Sequence, residues 1–113
     1  MIKIQFIGNV GTDATLKQLD NSNVINFTVA VNESYKNKDG VKQTVTKWID
    51  CEVWNRPKLQ AFIKKGGMLF INGNPEVREY IPKDGQEPKA VQICKVDEIQ
   101  FLSKKEGEAE PNE

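Results

Sequence analysis

The feature that most restricts the fold is an alternation of apolar and polar side chains with a period of two residues, which recurs along the chain. In residues 24–31 the apolar side chains Ile25, Phe27 and Val29 fall on one face, and the opposite face carries Asn26 and Thr28. Such alternation is typical of β-strands with one buried face. We therefore predict an all-β fold with five strands, at residues 2–10, 24–31, 45–54, 68–81 and 90–102.

One helical segment interrupts the strands after the third of them. Its apolar stripe has helical spacing and consists of Leu59, Phe62 and Ile63. Asn55 is expected to cap its N-terminus, Pro57 suits its first turn, and a glycine pair at residues 66–67 suits its end. This order predicts an OB-fold, a five-stranded Greek-key barrel with a short helix between strands 3 and 4. An SH3-like barrel or an open sheet would not explain a capped helix at this point.

Charge divides the chain into a basic body and an acidic end. Residues 106–113 hold four of the 16 acidic residues and none of the 16 basic ones, so the two parts carry −4 and +4. This end has almost nothing apolar to bury, which favours disorder. We assign the OB domain to residues 1–103 and a short, disordered acidic tail to residues 104–113.

Missing residue types argue against catalysis. The chain has no histidine and two distant cysteines, Cys51 and Cys94, which disfavours Ser-His-Asp and Cys-His mechanisms and the usual zinc sites. We expect no enzyme activity, no metal and no cofactor, and both cysteines as buried free thiols. No apolar run approaches the ~20 residues of a membrane-spanning helix. The N-terminus does not resemble a signal peptide, so we expect a soluble, cytoplasmic protein.

The third strand places aromatic side chains on an unexpected face. Ile49, Cys51 and Val53 form its apolar face, whereas Trp48 and Trp54 alternate onto the face that also carries two acids. A buried face would not combine tryptophan with unpaired carboxylates, because burial of a charge is costly. We therefore expect both tryptophans to be exposed or covered only by a ligand.

The fourth strand has a similar pattern. Tyr80 alternates with Glu76 and Arg78 on a polar face, provided that no bulge near Gly73 or Pro75 shifts the count. The apolar face of this strand consists of Leu69, Ile71, Val77 and Ile81. Tyr35 lies beside a lysine-rich loop, and its position in the alternation matches the buried face unless the second strand ends before it.

Exposed aromatic rings near basic residues favour binding of single-stranded nucleic acid. Unpaired bases stack on such rings with little sequence preference, and lysine or arginine contacts the phosphates. Two other functions fit the same pattern. An OB-fold adaptor would use the exposed aromatics to bind a protein, and an RNA-binding OB-fold would differ by a contact to the 2′-hydroxyl.

Four segments resemble the bacterial single-stranded DNA-binding protein family and extend the resemblance over residues 2–102. They are KIQFIGNVGTDATLK, NFTVAVNESYK, TKWIDCEVW and AFIKKGGMLFINGNPEVREY. The resemblance implies an OB-fold that binds and protects single-stranded DNA in replication, recombination and repair. It also implies a homotetramer and a cytoplasmic, nucleoid-associated location.

The resemblance also implies roles for individual residues. The base-stacking aromatics of the family correspond to Tyr35, Trp48, Trp54 and Tyr80. Its phosphate contacts correspond to Lys3, Lys17, Lys65 and Arg78. Charge and position add four further phosphate candidates: Lys36, Lys38, Lys42 and Arg56.

Two departures from the family concern the DNA path and the tail. Asp50 stands where the family has a basic residue, which implies lower affinity or a different path for the strand. The tail ends in Pro-Asn-Glu, so the resemblance does not extend to the hydrophobic tip through which the family recruits replication and repair proteins.

Overall fold

A computed structural model describes residues 1–85 and 87–102, and within them the chain forms six β-strands and one 3-10 helix. The predicted tail at residues 104–113 lies outside the described residues. The strands are β1 (Ile4–Val10), β2 (Thr15–Gln18), β3 (Asn23–Lys36), β4 (Lys42–Trp54), β5 (Met68–Tyr80) and β6 (Lys89–Phe101), and the 3-10 helix spans Pro57–Phe62 between β4 and β5. Nothing helical in this described part has the length and apolarity needed to cross a membrane.

Five of the strands close into a barrel. Their order is β1-β5-β6-β4-β3, and pairing of Asn9 with Ala30 and of Val10 with Val29 joins β1 to β3. The β4–β6 pair is parallel, and the other pairs are antiparallel. The predicted five-stranded barrel is confirmed. The four-residue strand β2 was not predicted from the sequence; it pairs with β3 and extends the sheet beside the barrel.

The core fills the inside of the barrel with alternate residues of its strands. Ile25, Val29 and Ile71 are fully buried there, and Leu59 adds an apolar side chain from the 3-10 helix. Cys51 and Cys94 are neighbours in the β4–β6 register and are buried free thiols, as predicted. Burial raises the pKa of Cys94 to about 11.

The helix between the third and fourth barrel strands differs from its prediction at its N-terminus. Pro57 occupies the first turn, but the N-cap is Arg56, with no capping side-chain hydrogen bond. The predicted cap, Asn55, instead adopts a positive φ of 59° and accepts a hydrogen bond from the backbone N–H of Asn23 at 3.1 Å. Asn55 therefore joins the end of β4 to the start of β3 rather than capping the helix. Gly66, with φ 88°, shapes the turn before β5 rather than directly ending the helix.

Two hairpins extend past the barrel as arms. The first arm comprises residues 32–36 of β3 and 42–46 of β4, and the second comprises residues 77–80 of β5 and 89–91 of β6. Both faces of an arm are open to solvent, so alternation no longer reports burial. Val77 and Ile81, which alternation groups with the buried Leu69 and Ile71, are therefore exposed: Val77 is 67% exposed and Ile81 is similarly exposed.

Candidate nucleic-acid interface

The two faces of β4 differ as the alternation predicts. Ile49, Cys51 and Val53 point into the core and are buried, whereas Trp48 and Trp54 lie on the outer face with 58% and 38% of their surfaces exposed. The barrel wall is a single layer of β-sheet, so the outer face of β4 is exposed to solvent wherever no arm or loop covers it. Two aromatic rings on one strand are therefore exposed to solvent.

The Trp48 ring lies across β3 towards the end of β1. Its cross-strand partner on β3 is Ala30, a small side chain. A Cβ atom added to Gly11 would collide with the far edge of the Trp48 ring and would lie 2.9 Å from Thr28 Oγ1. Because Gly11 has no side chain, the indole of Trp48 can pack close to the sheet at this point.

The Trp54 ring is oriented by contacts at the other end of β4. Its Nε1 donates a hydrogen bond to Glu52 Oε1 at 3.4 Å. Its cross-strand partner Val24 is buried yet lies outside the core cluster, as expected for a side chain covered on the outer face. Lys17 on β2 pairs with Val24, so a cation lies in the same cross-strand row as the ring.

Between the two tryptophans, the outer face of β4 is acidic. Glu52 is held by Arg78, whose Nη1 lies 2.7 Å from Glu52 Oε2, and Arg78 Nε also donates to Glu76 Oε1 at 2.8 Å. The hydrogen bond to Glu76, followed by the hydrogen bond to Glu52, raises the pKa of Arg78. The hydrogen bond from Arg78 is in turn the main reason that the pKa of Glu76 is lowered. Burial, followed by the charge of Glu52, raises the pKa of Asp50.

The two tyrosines lie on the arms and are exposed. The bulge between β5 and β6 places its extra residue, Asp97, on β6, so the alternation of side chains along β5 is not interrupted. Tyr80 therefore lies on the same face as Arg78 and the two tryptophans, and it is exposed. Tyr35 lies within β3 opposite Gln43, and strand alternation places it on the opposite face of the first arm from Trp48. Tyr35 is exposed because the arm leaves the barrel, not because the strand has ended.

The other predicted phosphate contacts are dispersed. Lys36 and Lys42 face each other at the end of the first arm, with Lys38 in the loop that joins them, and the Lys65 side chain is exposed after the helix. Lys3 forms an ion pair with Asp97 and a hydrogen bond with Asn74 Oδ1 at 3.1 Å. Arg56 Nη2 donates to the Val96 and Asp97 carbonyl oxygens, both at 3.0 Å.

The polar residues that lie beside Asp50 and Glu52 were not predicted as part of a site. Thr12 and Thr28 lie across from each other, with their hydroxyl oxygens 3.4 Å apart, and both line a surface cavity of about 440 Å³. Alternation in the second predicted strand already placed Asn26 and Thr28 on the outer face. The approach of Thr12 depends on the turn after β1, which leaves no periodic signal.

Comparison with known proteins gives one consistent result. Residues 1–102 match the model of the single-strand binding protein family. The single-stranded DNA-binding protein of Oceanobacillus iheyensis is 32% identical over 108 residues, which cover 91% of this chain and 64% of that relative. Single-stranded DNA-binding protein 1 of Clostridium acetobutylicum is 30% identical over 109 residues, which cover 93% of this chain and 96% of the relative.

The fold also resembles that of a solved protein. A structure described as Plasmodium falciparum SSB complex with ssDNA superposes with a TM-score of 0.77, covering 91% of this chain and 96% of that one. The two sequences are 24% identical, so the likeness concerns the fold.

Proposed function

Because this chain belongs to the single-strand binding protein family, we propose that it binds single-stranded DNA with little sequence preference and acts by binding rather than by catalysis. The observation that carries the proposal is the pair of exposed tryptophans on the outer face of β4. Unpaired bases stack on such rings, and each stack contributes about 1–3 kcal/mol. A duplex hides its base faces, so the same surface favours single strands over double strands.

Stacking is assigned to Trp48, Trp54, Tyr80 and Tyr35. The first three share the outer face, which supports one continuous path from the barrel to the second arm. Tyr35 lies on the other face of the first arm, so its use requires the strand to pass around the edge of that arm. Phosphate contacts are assigned to Lys17, Lys36, Lys38, Lys42 and Lys65, and to three further residues that already have protein partners.

Those three residues are Lys3, Arg56 and Arg78. Each makes ionic or hydrogen-bond contacts with other residues of the protein. To bind a phosphate, any of these side chains must divide its donors between the phosphate and its present acceptor, or break the present contact. We propose that they contribute less to affinity than the lysines of the first arm.

Tryptophan fluorescence during titration with oligo(dT) tests the proposal. We expect strong quenching by the single strand, little change with a duplex of the same length, and weaker binding at higher salt because bound cations are released from the DNA. Quenching that is absent at low salt would instead favour a protein-binding adaptor. A parallel titration with oligo(U) measures the preference for DNA over RNA.

We further propose that the chain assembles as a homotetramer. The outer face of β1, β5 and β6 has a groove of about 570 Å³ lined by apolar Ile7, Phe70 and Leu102, with glutamines at its edges. Ile7 is 56% exposed although it pairs with Phe70 in the β1–β5 register. A second copy of the chain presents the same groove, so the two surfaces would bury each other around a two-fold axis; this pairing gives a dimer, and a second interface would join two dimers into the tetramer.

Substitution of Ile7 by glutamate is expected to disrupt this assembly. A carboxylate buried without a partner costs about 3–5 kcal/mol, which would shift a micromolar sample towards smaller species. Sedimentation velocity measures the change, with the wild type near four times the 12.8 kDa chain mass. Leu19→Glu, a similar change in the β2–β3 loop, serves as the control. A wild type that sediments as a monomer or a dimer contradicts the homotetramer.

In the cell, we propose a cytoplasmic, nucleoid-associated protein that protects single-stranded DNA in replication, recombination and repair. This role rests on the family membership. The predicted acidic tail at residues 104–113 lies outside the described residues.

A further inference from the structure

A surface cavity lies on the outer face of β4 between the two tryptophans. Its volume of about 440 Å³ is within the range of small-molecule pockets. Its polar lining comes from β1–β2, β3, β4 and β5 and includes Thr12, Asn26, Thr28, Asp50, Glu52 and Arg78. Ile93 also lines it and is buried outside the core cluster, which gives the cavity an apolar contribution from β6.

The cavity is positioned under the proposed DNA path. Asp50 and Glu52 are the two outward residues between Trp48 and Trp54, and the tryptophans are six positions apart, a distance of about 20 Å along the strand. A DNA strand that stacks on both rings must carry the intervening nucleotides across this interval. At least one of them therefore passes over the cavity.

The charges around the cavity determine which part of the nucleotide faces it. Glu52 is held by Arg78, and the two charges offset each other. Among the described residues, by contrast, no hydrogen bond or ion pair reaches the carboxylate of Asp50, which is half-buried beside Thr28 and Ile93 in the strand register. An unpaired carboxylate repels phosphate. The base, rather than the phosphate, is thus favoured at this point.

We infer that the cavity receives a base and that Asp50 selects bases carrying an exocyclic amino group over thymine. The inference rests on the proposed function. A carboxylate only accepts hydrogen bonds, and the amino groups of cytosine and adenine donate them. The one ring donor of unpaired thymine, N3–H, lies between two carbonyl oxygens that the carboxylate repels. The amino group of cytosine can donate from its C5 side, where no acceptor faces the carboxylate.

Binding of oligo(dC) and oligo(dT) of equal length tests this selection. Fluorescence anisotropy of labelled oligonucleotides at fixed salt should give at least threefold tighter binding of oligo(dC) by the wild type. In Asp50→Asn the shape is kept, but the amide both donates and accepts hydrogen bonds. Oligo(dT) should then bind more tightly, and the ratio of the two affinities should fall to near one. Asp50→Ser, which also removes the carboxylate, should give the same ratio.

Glu98→Gln is the matched control, since it removes one negative charge from an exposed residue of β6 outside the cavity. It should leave the oligo(dC) preference intact. Equal or tighter binding of oligo(dT) by the wild type overturns the inference, as does an Asp50→Asn variant that gains affinity for both with the ratio unchanged. These two outcomes leave DNA binding itself in place. Failure to bind either oligonucleotide at low salt overturns the proposed function and the inference together.

Discussion

Replacement of both Trp48 and Trp54 by alanine is expected to weaken binding to single-stranded DNA by about 2–6 kcal/mol, the sum of two base stacks. The two rings are about 20 Å apart along β4, so their contributions should be nearly additive. The loss should be similar for different base sequences, because every base has a face that stacks. Fluorescence anisotropy with a labelled oligonucleotide measures it without depending on the tryptophans.

The matched control for this double variant is Trp48→Phe combined with Trp54→Phe, which keeps an aromatic ring at each position. It should retain most of the affinity. Both double variants should unfold in urea at concentrations close to that of the wild type, since neither ring belongs to the core cluster. An alanine variant that is folded and binds as tightly as the wild type would show that the DNA passes elsewhere.

The positions of the two tryptophans could be predicted from sequence because β4 forms part of the barrel wall. One face of such a strand must fill the core, and Ile49, Cys51 and Val53 identify that face unambiguously. The period of two then fixes the opposite face. The five-stranded barrel followed from the same reasoning applied to each apolar alternation in turn.

Features beyond the barrel wall could not be predicted in this way. Where the arms leave the barrel, burial no longer constrains the sequence, so the ends of β3 and the exposure of Val77 gave no signal. The contact between Arg78 and Glu52 could not be predicted either. It depends on the strand order, in which β6 lies between β5 and β4, so that Arg78 reaches across β6 to Glu52. Single-sequence alternation identifies the face of a strand but not its neighbours.

A second large effect is expected at Gly8, at the point where β1 passes from β5 to β3. Gly8 pairs with Leu69 of β5, and the next residue, Asn9, pairs with Ala30 of β3. A Cβ atom at Gly8 would collide with the Ala30 carbonyl oxygen and lie 2.6 Å from Val29 Cγ1. Because that oxygen belongs to the backbone of a central strand, Gly8→Ala should lower the free energy of unfolding by about 2–3 kcal/mol, measured by urea denaturation at fixed protein concentration.

The same substitution at Gly11 should affect DNA binding more than stability. At Gly11 the nearest atoms are the edge of the Trp48 ring and the Thr28 hydroxyl, both ends of side chains that can move. Gly11→Ala should therefore change the free energy of unfolding by less than about 1 kcal/mol, while displacing the ring, altering its fluorescence and weakening DNA binding. That loss should vanish in a Trp48→Ala background, because there is no ring left to displace. Equal stability of the two glycine variants would mean that β1 does not approach β3 as closely at Gly8 as barrel closure requires.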